Sequence, residues 1–92
     1  MKIEMLTLYA HWCPVCNMML PLVEEIEKDF KGDIQFRRLD VETDENVYKL
    51  YDIQIVPTFI FYRNNREVMR MAGMIGEKFF RERLEKLVKG ES

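Results

Sequence analysis

The spacing of apolar positions along the chain changes several times, and each change marks an element. Lys2 to Tyr9 alternate loosely and then run apolar, which predicts an interior strand ending just before Cys13. From Pro14 to Phe30 the residues Val15, Met18, Met19, Leu22, Val23, Ile26 and Phe30 recur every three or four positions, with Glu24, Glu25, Glu27, Lys28 and Asp29 opposite them. That is the pattern of an amphipathic helix. Pro14 suits its first turn, Pro21 falls inside it and should bend it, and Lys31-Gly32 ends it. Asp33 to Val41 predicts a second strand, and Thr43 to Tyr51 a short helix capped by Thr43, with Val47, Leu50 and Tyr51 turned inward. Thr58 to Arg63 and Arg66 to Ala72 predict a hairpin turning at Asn64-Asn65. After the breaks at Gly73 and Gly76, a helix over Glu77 to Lys89 buries Phe80, Leu84, Leu87 and Val88 under a solvated face of Arg81, Glu82, Arg83, Glu85 and Lys86.

The order βαβαββα constrains the topology. A βαβ unit joins parallel strands, and a hairpin is antiparallel. The expected fold class is therefore α/β, a four-stranded mixed sheet flanked by helices, with residues 1–92 as a single domain. Chemistry in such open sheets collects at the carboxyl ends of the parallel strands. Cys13 and Cys16 lie there, between the first strand and the first helix.

Composition narrows the classes of function. Fourteen basic and sixteen acidic side chains leave a net charge of −2, so no basic field favours nucleic acid. The apolar residues, 48% of the chain, are interleaved with charge and form no run long enough for a membrane span. The N-terminal stretch Met1 to Ala10 faintly resembles a signal peptide, but Glu4 interrupts it and the apolar run is short. The expected compartment is the cytoplasm, where two cysteines rarely serve as a structural staple.

Cys-x-x-Cys opening a helix brings two thiols within disulfide reach, and the exposed N–H groups of the first turn stabilise a thiolate on the first of them. Cys13 is the expected nucleophile and Cys16 the shielded resolver, with Trp12 forming an apolar rim and the N–H groups of Val15 and Cys16 facing the Cys13 sulfur. Two other readings of the pair are a buried structural couple and a zinc site. Zinc would have to recruit His11 and a carboxylate, or bridge two chains, so no metal and no cofactor is expected. His11 either raises thiolate occupancy when protonated or is a loop residue without a role.

These residues resemble the thioredoxin family over nearly the whole chain. Tyr9-Ala10-His11-Trp12-Cys13-Pro14-Val15-Cys16 is similar to its active-site segment, Pro21 to the kink of its long helix, and Ile55-Val56-Pro57-Thr58 to its cis-proline loop. Gly73 is similar to the glycine that borders its substrate groove. The resemblance implies that Pro57 is cis and faces the cysteines, and that Val56 offers main-chain groups to an extended substrate. Trp12, Val56, Pro57, Gly73 and Met74 are the implied substrate-binding residues.

Departures from the family qualify this reading. The strand and helix that usually precede the first strand are missing, and the length is closer to glutaredoxin. A proline directly after the first cysteine also resembles glutaredoxins, yet Gly73-Met74-Ile75 lacks their Gly-Gly and following Asp. Thr7 stands where thioredoxins usually carry a buried acid, which leaves resolution to water or another base and leaves Arg38 without its usual charged partner.

The resulting expectation is an enzyme that reduces protein disulfides as a monomer, recycled by a reductase or a low-molecular-weight thiol. The alternatives are a glutaredoxin-like, glutathione-dependent oxidoreductase, and a non-catalytic binding or redox-sensing module using Trp12, Val56, Pro57 and Met74.

Overall fold

The computed structural model describes residues 2–43 and 45–90. Its elements follow the expected order: β1 (Ile3–Tyr9), α1 (Pro14–Phe30), β2 (Gln35–Asp40), α2 (Val47–Leu50), β3 (Thr58–Arg63), β4 (Arg66–Ala72) and α3 (Glu77–Val88). The strands form one four-stranded sheet in the order β2-β1-β3-β4. β1 runs parallel to β2 and antiparallel to β3, and β3 runs antiparallel to β4. The hairpin turns through Asn64 and Asn65, both at positive φ, the conformation a tight two-residue turn demands.

Alternation along β1 sends side chains to two cores. Ile3 and Met5 join Met19, Val23 and Ile26 of α1 and Phe80, Leu84 and Leu87 of α3. Leu6 and Leu8 join Val41, Val47, Ile53 and both cysteines. A central strand buried on both faces reads as a continuous apolar run, the pattern its sequence shows. Phe80 anchors α3 by edge-on contacts with Phe59 and Phe61, at centroid distances of 5.0 and 6.3 Å. Glu4, also buried in β1, is held by Lys2 at 3.5 Å and Arg37 at 3.4 Å.

The structure corrects the expected second helix. It begins at Val47 rather than Thr43 and has Asn46, not Thr43, at its N-cap. The Thr43 hydroxyl donates instead to the Asp40 carbonyl at 2.8 Å, closing a turn after β2. Hydroxyls near the backbone choose between capping and turn closure, and here the turn wins. Asp44, inside the expected span, lies outside the described residues.

Candidate active site

The site lies where β1 ends and α1 begins. Cys13 is the N-cap of α1, with extended φ and ψ of −85° and 115°, and Pro14 opens the helix with a fixed φ and no N–H to leave unpaired. The Cys16 N–H donates to the Cys13 sulfur at 3.2 Å. Of the two expected backbone donors only this one bonds the sulfur, so the sulfur takes the ordinary N-cap bond to the third helical residue. Two further contacts fix the approach to the helix. The Cys13 N–H donates to the Ala10 carbonyl at 3.1 Å, and the Asn17 amide donates to the His11 carbonyl at 3.3 Å.

Both cysteines are free thiols and both are buried, Cys13 at 5% and Cys16 at 8% exposure. The expected contrast between an accessible first and a shielded second cysteine is therefore absent; their surroundings separate them instead. Burial, reinforced by the hydrogen bond with Cys13, pushes the Cys16 thiol up to about 11. The Cys13 thiol faces the Val56 carbonyl, to which it donates at 3.6 Å.

That contact brings in the second loop of the site. The Val56–Pro57 peptide bond is cis, as the resemblance implies. The Thr58 hydroxyl closes this loop onto the Ile55 carbonyl at 2.7 Å, and the Gly73 N–H donates to the Pro57 carbonyl at 2.8 Å. Gly73 has φ +82°, a region other residues reach only with strain, so glycine suits this junction of β4 with the site. Val56 is half-buried against the core that contains the cysteines. Around it Trp12, Ile55 and Met74 are 57%, 53% and 54% exposed, large apolar side chains in water beside two buried thiols. Ile55 is absent from the expected binding residues; only its apolar character next to Val56-Pro57 signals it.

His11 resolves as a loop residue. It is exposed, and its Nδ1 lies 3.0 Å from Glu42 and 3.5 Å from Asp40, a grouping that includes neither cysteine. A zinc site built from His11 and both thiols is not what this arrangement offers. Arg38, opposite Thr7 in the sheet and without an acid there, grips Glu27 of α1 instead through two hydrogen bonds, at 3.0 and 2.6 Å. Sequence reasoning missed this pair because the partners belong to different elements.

A dithiol in which one sulfur caps a helix and the other is a protonated, buried neighbour can exchange with a disulfide and close on itself. Comparison with known proteins points the same way. The family model described as Thioredoxin matches residues 1–86. Thioredoxin-1 of Caenorhabditis elegans is 34% identical over 84 residues, which are 91% of this chain and 72% of that protein. Among solved structures, the thioredoxin of Fasciola hepatica superposes with a TM-score of 0.82 at 28% identity, covering 92% of this chain and 80% of that one. The germline-specific thioredoxin Deadhead of Drosophila melanogaster gives 0.84 at 29% identity, covering 94% and 81%. With the two cysteines at the helix start, the cis-proline loop against them and these matches over most of its length, the chain belongs to the thioredoxin family of thiol–disulfide oxidoreductases.

Proposed function

We propose that the protein reduces disulfides in other proteins, with Cys13 as the attacking sulfur and Cys16 as the resolving one. The observation that carries the assignment is that the Cys13 sulfur caps α1 and accepts the Cys16 N–H, while burial and the hydrogen bond with Cys13 push the Cys16 thiol up to about 11. Cys13 thiolate attacks one sulfur of the substrate disulfide and expels the other as a thiolate. Cys16 then attacks Cys13, forms the internal disulfide and releases the second substrate thiol. An electron donor, either a reductase or a small thiol, returns the pair to the dithiol form.

Trp12, Ile55, Val56 and Met74 give an extended polypeptide an apolar bed, with Val56 supplying main-chain hydrogen bonds and Pro57 and Gly73 shaping the loop. The Gly73-Met74-Ile75 sequence favours a protein over glutathione as substrate. We place residues 1–92 in a single domain acting as a monomer in a reducing compartment such as the cytoplasm. None of the described helices is long and apolar enough to cross a membrane.

Cys16→Ser tests the reading, because attack can proceed while resolution cannot. The expected result is a stable mixed disulfide between Cys13 and discrete cellular proteins. Capture of glutathione alone would favour the glutaredoxin-like alternative. A folded variant with reduced Cys13 that captures nothing would leave a binding module.

A further inference from the structure

A cavity of about 180 Å³ opens beside the buried face of Cys16. Thr7 lines it from the centre of β1, with its two register partners, Arg38 of β2 and Phe59 of β3, on either side and Met19 of α1 above. Thr7 is only 5% exposed, and its hydroxyl has no hydrogen-bond partner among the described residues. A buried hydroxyl in this position is a standing cost unless something bonds to it, and ordered water does so wherever the space is roomy and partly polar. One water occupies about 30 Å³ of liquid, so the cavity takes a short chain of them.

The wall chemistry favours water over an anion. Among the described lining residues there is no carboxylate, and the one permanent cation, Arg38, already grips Glu27. The cavity also reaches the exposed side chains of His11 and Asn17 and so communicates with bulk solvent. Cys13 at the helix start interacts directly with Cys16, and the other titratable or charged groups lining the cavity among the described residues are Tyr9 and His11, from β1 and its following turn, and Arg38, which is held by Glu27.

We infer that Thr7 is a positioning residue for resolution: its hydroxyl holds a water chain in this cavity through which the Cys16 proton leaves. The inference rests on the proposed roles of the two cysteines. In the step it serves, the Cys16 S–H loses its proton to water bonded to Thr7 Oγ1, and that proton passes to solvent. The thiolate forms a bond to Cys13 Sγ, and the bond from Cys13 to the substrate sulfur breaks. The substrate leaves as a thiolate and takes a proton from solvent. The cysteine pair is oxidised by two electrons as the substrate disulfide is reduced by two.

Rapid mixing of the reduced protein with an aromatic disulfide whose thiol is coloured separates the two steps. The first equivalent of colour reports attack by Cys13 and the second reports resolution by Cys16. Thr7→Val keeps the branched shape and removes the hydroxyl. It is expected to slow the second equivalent at least about tenfold at pH 7, while the first equivalent appears as in the parent protein. The gap should narrow as the solution becomes alkaline enough for Cys16 to ionise unaided. Thr7→Ser should restore most of the rate. A Thr7→Val second phase unchanged between pH 6 and 9, or a Thr7→Ser variant as slow as Thr7→Val, overturns the inference. Absence of the first equivalent from the parent protein would instead remove the nucleophile assignment, and the inference with it.

Discussion

The Cys16 N–H donates to the Cys13 sulfur across 3.2 Å, so in the proposed mechanism the resolving residue is also a hydrogen-bond donor to the attacking sulfur. Attack and resolution thus share one turn of helix. In a mixed disulfide through Cys13, the interaction with the Cys13 sulfur that helps burial to hold the Cys16 thiol up is weakened.

Alkylation and alkaline stability test this arrangement together. Iodoacetamide at neutral pH should modify Cys13 first, with Cys16 following only in strongly alkaline solution; mass mapping that finds Cys16 modified first contradicts the assignment. The Cys16 thiol is raised from 9.0 to about 11, so the folded state binds this proton more tightly than the unfolded chain. Its contribution to stability is therefore present below about pH 9 and is lost between 9 and 11. Urea melts of the reduced protein over that range should show a fall in stability that Cys16→Ser lacks.

The pair of hydrogen bonds between Arg38 and Glu27 ties β2 to α1 beside the site. Both side chains are partly solvated, at 35% and 22% exposure, which keeps the contribution modest despite the two-pronged geometry. Glu27→Gln should lower stability by about 1 kcal/mol, measured by chemical denaturation, with a double-mutant cycle through Arg38→Gln giving coupling of similar size. Coupling near zero would mean that the pair adds nothing beyond its separate contacts.

Phe80 is fully buried against two phenylalanines of β3. Phe80→Ala should cost about 3–5 kcal/mol, a large share of the stability of a small domain. Equilibrium unfolding in urea, followed by the fluorescence of Trp12, measures the loss. A cost below about 1 kcal/mol would mean that the surrounding side chains collapse into the space.

Elements whose burial pattern repeats were legible along the chain. Leu6 and Leu8 in a strand enclosed on both sides, and Met19, Val23 and Ile26 on one helical face, leave a periodic trace because the same contact recurs at fixed spacing. The cysteine pair was legible because its chemistry requires adjacency in sequence. Arg38 and Glu27 were not, since the strand and helix carrying them meet only after folding. Thr43 misled because its hydroxyl can either accept from a helix N–H as a cap or donate to a nearby carbonyl, as it does to that of Asp40. The buried state of Cys13 was hidden as well, because residues as distant as Val56 cover it. Least legible was the cavity beside Thr7, which is defined by what its hydroxyl does not touch.

The strand order leaves β2 and β4 as the two margins of the sheet, and what those margins carry bears on self-association. An exposed strand margin is a template on which another strand can stack, and long apolar margins seed aggregates. β2 presents Arg37 and Arg38 there, and β4 presents Arg66, Glu67 and Arg70. A second copy adding to either margin would have to strip water from these charged side chains, most of them ion-paired, a cost that guards a protein which leaves Trp12, Ile55 and Met74 in solvent elsewhere.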